Sequence, residues 1–329
     1  MTKSFSVGCV CAVATFSLAV DVAAETFSIA AVADVQYADA NPRGNREPRE
    51  ALKRLEHAVT CWNKRDLDWA VSLGDNIDWD DIDYSKFPQQ TLSTGPAEWK
   101  HTKQVLAVWN QLKFDKHMVL GNHDYYVPYK DADGLSKPAS VLRAFGYQDK
   151  AYYHFGHKGY RFVILDGDVS PYNFDVESPE YKVAKAYYDS FKGRQKTPWN
   201  AAISNKQLVW LAGVLDQALK DKEPVVLMCH YPIHQPIGGH HLFNAEQVVA
   251  LLDTYPNVVM WLHGHTHKGG YMQMGKRHHL NLKGMQEEDD SWYQIDFSPE
   301  MIKVYQAENL ETPVYELKVS WPVSKAASK

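Results

Sequence analysis

The sequence contains little cysteine and no large excess of charge of either sign. Four cysteines in 329 residues are too few for the disulfide framework that holds small secreted domains together. A formal net charge of −5 argues against binding to nucleic acid or to a membrane surface, which requires a basic face. Internal repeats and low-complexity linkers are also lacking. With 45% apolar residues, the chain can bury a full core in one large domain or in two small ones.

A long apolar stretch occurs at the N-terminus. Lys3 precedes the mostly apolar residues 5–20, and the small residues 22–24 are typical of a signal-peptide cleavage site. We therefore expect residues 1–24 to be a signal peptide, residues 25–329 to form the mature domain, and the protein to be exported to a periplasm or secreted. A membrane anchor is the less favoured alternative, because the stretch is too short to span a bilayer. We expect no stable membrane insertion.

Cleavage at this position would remove two of the four cysteines and leave Cys61 and Cys229. Cys61 lies in a helical pattern and Cys229 in an apolar, strand-like run, so we expect both to pack in the core. Whether the two form a disulfide is left open by the sequence.

Strand-like and helix-like patterns alternate along the chain until consecutive strand-like runs follow residue 257. This order predicts an α/β fold with a mixed sheet or two packed sheets. The irregular residues 167–205 are expected to form a functional loop. The predicted strands are residues 26–33, 68–73, 116–120, 152–155, 160–165, 224–229, 257–262, 279–282, 292–297 and 301–306, and the predicted helices are residues 45–63, 97–113, 206–219 and 244–252.

Polar side chains that can bind metal follow five of the strand-like runs. Strands of an open α/β sheet end at one crevice, so these distant segments can meet there. Residues two apart in extended chain point the same way, which predicts that Asp34 with Gln36, and His265 with His267, face a common site. Glycine before the ligand in three segments permits close backbone approach. The segments are Asp-Val-Gln at 34–36, Gly-Asp-Asn-Ile-Asp at 74–78, Gly-Asn-His-Asp at 121–124, Cys-His at 229–230 and Gly-His-Thr-His at 264–267.

Each segment alone is common in turns, but the order D-x-[HQ], G-D-x-x-D, G-N-H-[DE], H and G-H-x-H resembles the calcineurin-like metallophosphoesterases. The resemblance implies a four-layer α/β/β/α sandwich of two mixed sheets. It also implies a site with two divalent metal ions, bridged by one carboxylate and a hydroxide. The ligands that it implies are Asp34, Gln36 and His267 for one ion, Asn122, His230 and His265 for the other, and Asp75 for both.

The resemblance further implies a catalytic pair. His123 matches the general acid or transition-state stabiliser of the family, and Asp78 matches the carboxylate that orients this histidine. The bridging hydroxide would attack phosphorus, and His123 would protonate the departing oxygen. Two divalent ions outweigh the carboxylates Asp34 and Asp75, so the site would stay positive and attract phosphate. Asp124 is expected to stabilise a turn.

Gln36 departs from most of the family, which has histidine at this position. An amide oxygen is a harder ligand than an imidazole nitrogen and favours Mn²⁺ or Mg²⁺ over Zn²⁺. This substitution, with residues 33–39 and Gly-Gly-Tyr at 269–271, resembles the manganese-dependent ADP-ribose/CDP-alcohol diphosphatases. The resemblance implies two Mn²⁺ ions, with Mg²⁺, Fe or Zn²⁺ as alternatives, and hydrolysis of a phosphoanhydride in a small nucleotide substrate such as ADP-ribose or a CDP-alcohol.

Arg46 and several aromatic residues near the motifs are candidate substrate contacts. Arg46 is suited to the second phosphate of a diphosphate, although a solvated helix face is its commoner environment. Tyr37, Trp79, Tyr125 and Tyr126 lie beside ligand motifs, and one of them is suited to stacking on a base, with Tyr37 and Tyr125 favoured, although packing is the commoner role of such aromatics. His234, His240 and His241 are predicted to lie in a loop near the site.

Two other functions stay open from the sequence. The first is a broader phosphodiesterase or phosphomonoesterase of the same superfamily. The second is a non-catalytic, metal-bound binding module. His123 argues against the second, because a binding module does not need a general acid.

Overall fold

The computed structural model describes residues 25–80, 97–128, 130–194, 196–234 and 239–321. The expected signal peptide, residues 1–24, lies outside the described residues, so this segment and the export of the protein stay predictions. Within the described ranges, no helix combines the length and apolar character needed to cross a bilayer.

Among the described residues, twelve strands form two six-stranded mixed sheets, in the orders β12-β11-β10-β1-β2-β3 and β4-β5-β6-β7-β9-β8. The strands are β1 (Phe27–Val32), β2 (Trp69–Ser72), β3 (Asp115–Met118), β4 (Tyr153–His157), β5 (Tyr160–Ile164), β6 (Val225–Met228), β7 (Val258–His263), β8 (Lys268–Met274), β9 (Arg277–Lys283), β10 (Trp292–Phe297), β11 (Met301–Gln306) and β12 (Tyr315–Lys318). The helices are α1 (Pro48–Trp62), α2 (Ala97–Trp109), α3 (Ala139–Ala144), α4 (Pro179–Ser190), α5 (Asn205–Lys220) and α6 (Ala245–Leu252).

The central strands are buried on both faces because apolar side chains point to both sides of each sheet. In β1, Ile29 and Ala31 join the core between the two sheets, whereas Ala30 and Val32 pack with side chains of α1 and α2. The outer face of the second sheet packs in the same way against α5 and α6. The layers are therefore helix, sheet, sheet and helix, which confirms the predicted four-layer α/β/β/α sandwich.

Parallel strands bring the ligand segments to one edge of the sandwich. β1, β2 and β3 run parallel in the first sheet, and β5, β6, β7 and β9 run parallel in the second. Ala33, at the end of β1, forms a parallel bridge with Gly284, just past the end of β9. This bridge ties the two sheets together where the polar segments begin.

The region that the sequence describes as irregular contains α4. Ser178 begins this helix, because its Oγ accepts a hydrogen bond from Tyr181 N at 3.1 Å, and Pro179 occupies the first turn. Within this fully described helix, Ala184 is the single buried residue. The helix has almost no apolar stripe, so hydrophobic periodicity does not reveal it. The elements α3, β8 and β12 also lie outside the predicted strands and helices.

Cys61 and Cys229 are both free thiols, which settles the question of a disulfide that the sequence leaves open. Cys229 is fully buried, as predicted. Cys61 packs against the core with only part of its side chain, and its Sγ lies 3.7 Å from His57 Nε2. Cys61 is therefore packed in the core only in part, and the rest of its side chain is accessible to solvent.

Candidate metal centre

Three of the five ligand segments leave their strands through left-handed backbone. The φ angles are 51° at Asp34, 44° at Gln36, 56° at Asp75, 76° at His265 and 62° at His267. Such conformations cost non-glycine residues on the order of 1–3 kcal/mol each and concentrate at functional sites. The side chains do converge on one site, but the reason given by extended-chain alternation is wrong. In these three segments they converge because the backbone turns at the left-handed residues.

Two glycines allow neighbouring segments to touch. A Cβ atom at Gly121 would lie 2.2 Å from Asp75 Oδ1, and a Cβ atom at Gly264 would lie 2.5 Å from Asp34 Oδ2. Any side chain at these positions would displace a carboxylate of the site. The close backbone approach that the sequence predicts for glycine is therefore present at both positions.

Asp124 links the second and third ligand segments through hydrogen bonds from their backbone N–H groups. Its Oδ2 accepts hydrogen bonds from Asp75 N at 3.0 Å and Gly121 N at 2.9 Å, and its Oδ1 accepts one from Asn76 N at 2.9 Å. Burial, and then the charge of Asp75, raises the pKa of Asp124 to about 6. These hydrogen bonds confirm the turn-stabilising role predicted for Asp124.

Two groups of ligand atoms share Asp75. In one group Asp75 lies with His230 and His265, in the other with Asp34 and His267, and within each group the ligand atoms lie within 4.8 Å of one another. Asp75 Oδ2 is 3.2 Å from His230 Nε2, which is 3.1 Å from His265 Nδ1. Asp34 Oδ1 is 3.6 Å from His267 Nε2. Each group can hold one ion, with Asp75 common to both.

Gln36 and Asn122 lie next to the two donor groups, and each carries an amide oxygen that can bind metal. Gln36 Nε2 donates to Asp75 Oδ2 at 3.1 Å, and Asn122 Nδ2 donates to Tyr126 Oη at 3.1 Å. Both amide oxygens are buried and have no hydrogen-bond partner among the described residues. A buried acceptor without a partner is costly. Divalent cations would satisfy both oxygens, so the donor set fits a pair of metal ions.

Each histidine of the centre is held through its second ring nitrogen. An acceptor there fixes the N–H on that side and leaves the other nitrogen free to ligate. Neither Asn200 nor Glu287 belongs to a sequence motif, and both are identified only by these contacts. The pairs are His230 Nδ1 with Leu73 O at 2.9 Å, His265 Nε2 with Asn200 Oδ1 at 2.8 Å, and His267 Nδ1 with Glu287 Oε1 at 3.2 Å.

Charges in the centre act strongly on one another because they are buried. Burial raises the pKa of Asp34. Burial also raises that of Asp75, but His230 and His123 outweigh it and hold the pKa of Asp75 well below its usual value. Burial lowers the pKa of His230, but Asp75 and Asp34 outweigh it and raise this pKa to about 9. Metal binding would displace imidazole protons, since a ligating histidine is neutral.

His123 lies beside the centre and contacts the predicted orienting carboxylate. Its Nδ1 is 3.2 Å from Asp78 Oδ1, and its Nε2 is 3.8 Å from Asp75 Oδ2. Burial raises the pKa of Asp78, but the charges of His123, Arg46 and Arg43 outweigh it and lower this pKa overall. An acidic carboxylate therefore lies beside Nδ1 of His123, and Nε2 is on the side of Asp75.

The centre opens into a cavity of about 390 Å³. Arg46 is at its wall, with Nη1 3.6 Å from Asp78 Oδ2. His240 also lines the cavity, whereas His234 and His241 line a different one. The described residues that line the cavity are Arg46, Asp75, Trp79, Asn122, His123, Tyr126, Trp199, His240, His265, Thr266 and His267.

Tyr37 and Tyr125 are absent from the described lining of this cavity. Both are buried in the core between the first sheet and its helices. Tyr37 packs edge-on against His101 with ring centroids 5.1 Å apart, and Tyr125 Oη donates to Asp166 Oδ2 at 3.3 Å. The prediction that they contact substrate is corrected by this placement. The neighbouring aromatics Trp79 and Tyr126 face the cavity instead.

Comparisons with known proteins agree with this geometry. The sequence profile of the calcineurin-like phosphoesterases matches residues 27–269. The manganese-dependent ADP-ribose/CDP-alcohol diphosphatase of Bos taurus is 28% identical over 299 residues, which cover 79% of this chain and 84% of the relative. The protein of the same name from Arabidopsis thaliana is 28% identical over 288 residues, covering 79% and 86%. A dimetal phosphatase from Danio rerio has the same fold, with a TM-score of 0.72, 24% identity, and coverage of 90% of this chain and 99% of that chain.

Proposed function

Because the chain belongs to the calcineurin-like phosphoesterase family and is therefore a metal-dependent hydrolase, we propose that it cleaves the phosphoanhydride of nucleoside diphosphate-linked substrates such as ADP-ribose and CDP-alcohols. The observation that carries the proposal is the pair of donor groups sharing Asp75, placed beneath a cavity with an arginine and aromatic side chains in its walls. The names of the relatives from Bos taurus and Arabidopsis thaliana support the same substrates and Mn²⁺.

The proposed ligands divide into two sets around Asp75. When bound, two divalent ions supply an activated water and positive charge that stabilises the transferred phosphoryl group. The amide oxygen of Gln36 makes the first set richer in hard donors, which favours Mn²⁺. The first set is Asp34, Gln36, Asp75 and His267, and the second is Asp75, Asn122, His230 and His265.

His123 is the proposed general acid. Asp78 Oδ1 lies 3.2 Å from Nδ1 of its ring and would favour a proton there, so the proton to be transferred would be at Nε2, on the side of the cavity. Trp79 packs against this ring with centroids 5.1 Å apart and restricts its rotation. A protonated Nε2 can then donate to the oxygen that leaves phosphorus.

Arg46 is the proposed contact for the second phosphate. Its side chain is 26% exposed and is held near Asp78, which orients the guanidinium at the cavity wall without neutralising it by a close bidentate pair. The stacked rings of Trp79 and Tyr126, 4.3 Å apart, and of Trp199 and His240, 5.4 Å apart, offer apolar surfaces for a base or a ribose.

A substrate panel tests the proposed activity. ADP-ribose, CDP-choline, cyclic nucleotides and p-nitrophenyl phosphates would each be assayed with Mn²⁺, Mg²⁺ and Zn²⁺. We expect the highest kcat/KM for ADP-ribose or CDP-choline with Mn²⁺, and nucleoside monophosphate as a product. Hydrolysis of simple monoesters at a higher kcat/KM than either diphosphate would contradict the proposed substrate class and favour the broader phosphoesterase.

The contact with the second phosphate is tested by Arg46→Ala. We expect kcat/KM to fall by roughly 10–100-fold for diphosphates, as for loss of a charged hydrogen bond of about 1.5–3 kcal/mol, and to fall less for monoesters. Arg49→Ala is the matched control, because Arg49 contacts the exposed Asp39 at 2.7 Å and is absent from the described cavity lining. If kcat/KM fell equally for diphosphates and monoesters, Arg46 would not contribute to the selection between them.

A further inference from the structure

Away from the cavity, a second set of metal-ligating side chains meets on α1. His57 and Cys61 are four residues apart on this helix and so share one face, and Glu308 follows the end of β11. In the described part of the chain, one ligand atom from each of the three lies within 4.8 Å of the others. None of the three is among the described residues that line the catalytic cavity.

The distances among the three donor atoms suit a tetrahedral ion. His57 Nε2 is 3.0 Å from Glu308 Oε1, and Cys61 Sγ is 3.7 Å from His57 Nε2 and 4.0 Å from Glu308 Oε1. Tetrahedral zinc, with bonds of about 2.0–2.3 Å, separates such donors by roughly 3.3–3.6 Å. Side-chain adjustments of about half an ångström would therefore bring all three into ligating positions.

The backbone that carries Glu308 is firmly held. Arg65 Nη2 donates to Ala307 O at 2.9 Å, Ala307 N donates to Trp292 O at 2.7 Å, and Ala307 has a left-handed φ of 54°. The His57 ring packs edge-on against the same tryptophan, with centroids 5.9 Å apart. The two chain segments that supply the ligands are thus both anchored at the buried Trp292.

We propose that His57, Cys61 and Glu308 form a separate surface site for one divalent ion of the Zn²⁺ class, with water completing the coordination. The Cys61 thiol releases its proton to solvent as the sulfur–metal bond forms, and the thiolate with the Glu308 carboxylate balances the charge of the ion. A thiolate selects Zn²⁺ over Mn²⁺ or Mg²⁺, which is the opposite of the oxygen-rich catalytic centre. The bound ion would link α1 to the turn after β11.

Cobalt(II) is a selective probe of this site, because thiolate–cobalt coordination gives a charge-transfer band in the near ultraviolet. The proposed catalytic ligands include no thiol, so they do not contribute to the band. The full-length protein would be titrated with Cys9 and Cys11 both replaced by serine, so that Cys61 and Cys229 are the remaining thiols. This protein, used as the native reference for all variants, should produce the band and saturate. Cys61→Ser should abolish it, and Glu308→Gln should shift its midpoint to higher cobalt concentration.

Two controls match these variants. Cys229→Ser removes the other free thiol of the described residues, and Glu311→Gln changes an exposed carboxylate close to Glu308 in the chain. Both should keep the band and its midpoint. Absence of the band from the native protein, or its persistence in Cys61→Ser, would overturn the proposal. Loss of the band in Cys229→Ser with retention in Cys61→Ser would place the cobalt at Cys229 instead.

Alkylation of Cys61 gives an independent readout. The rate of modification at Cys61, followed by peptide mass spectrometry, should fall when Zn²⁺ is added to the native protein and should not change in His57→Ala. A rate that Zn²⁺ does not alter in the native protein would contradict metal binding by this thiol. Turnover of Cys61→Ser with Mn²⁺ should equal that of the native enzyme, because Cys61 is not among the proposed catalytic residues and the surface site is proposed independently of the catalytic function.

Discussion

The two sheets contribute chemically different halves to the candidate metal centre. The predicted donors that follow strands of the first sheet offer oxygen atoms, and those that follow strands of the second sheet offer imidazole nitrogens. Each proposed ion takes ligands from both sheets, so the core between the sheets fixes the distance between the two kinds of donor. The oxygen donors are Asp34, Gln36, Asp75 and Asn122, and the nitrogen donors are His230, His265 and His267.

The halves also differ in how their side chains are oriented. On the nitrogen side, each imidazole is fixed by one acceptor at its second nitrogen. On the oxygen side, backbone N–H groups hold the carboxylates, as when His265 N donates to Asp34 and His123 N donates to Asp75. The amide oxygens of Gln36 and Asn122 stay without hydrogen-bond partners in the described structure. The nitrogen half is therefore organised before metal binds, whereas the amide oxygens need metal to be satisfied.

The largest effect should come from substituting Asp75, the residue that the two donor groups share. Asp75→Asn removes the charge that would bridge both ions while keeping the shape of the side chain. We expect loss of both metals and of activity, by more than the roughly 10²–10⁴-fold that removal of a general acid costs. Metal content by elemental analysis and kcat measure the two effects. Asp216→Asn, at an exposed carboxylate that contacts Tyr255, should change neither. Retention of two ions by Asp75→Asn would contradict its bridging role.

The second-largest effect should come from removing His123, the proposed proton donor beside the metal centre. His123→Ala should keep both metals, because His123 is not a proposed ligand, and should lower kcat by about 10²–10⁴-fold. The loss should shrink for substrates with acidic leaving groups, which depart without a proton. Turnover of aryl phosphate esters of graded leaving-group basicity measures this dependence. Losses of equal size across the series would exclude the acid role.

Changes at the residues that orient the imidazoles should have smaller effects and should separate the two ions. Loss of such a partner typically costs about 10–100-fold in metal affinity or activity. Glu287→Gln should weaken the ion held by His267, and Asn200→Ala should weaken the ion held by His265. Stepwise Mn²⁺ titration of each variant distinguishes the two. Glu288→Gln is the control, since Glu288 contacts Lys283. Identical metal affinities in native protein and both variants would show that these contacts do not position the ligands.

The smallest effect should come from Gln36→His, which replaces an amide oxygen donor of the first sheet with an imidazole nitrogen. We expect the ratio of Mn²⁺- to Zn²⁺-supported activity to fall, within roughly tenfold, because nitrogen ligands suit Zn²⁺ better. Activation curves for each metal on one substrate measure the ratio, and the melting temperature checks that the fold is unchanged. Superimposable curves for the two proteins would show that Gln36 does not set metal preference.

The sequence predicts the strand ends and the order of the ligand segments because apolar runs and the residues that follow them are local signals. Asn200 and Glu287 carry no such signal, since each meets its histidine only through tertiary packing. Tyr37 and Tyr125 lie beside ligand motifs in the sequence, but their side chains pack in the core. The left-handed angles at Asp34 and His265 are likewise a property of the folded segments and not of residue type.

The proposed catalytic function requires two ions that share Asp75 where the two sheets meet. Anomalous diffraction at the manganese absorption edge, from crystals grown with Mn²⁺, locates such ions without reference to activity. We expect two peaks roughly 3.5–4 Å apart, both adjoining Asp75, one beside Gln36 and His267 and the other beside Asn122 and His230. A single peak, or two peaks of which one is remote from Asp75, would contradict the proposed function.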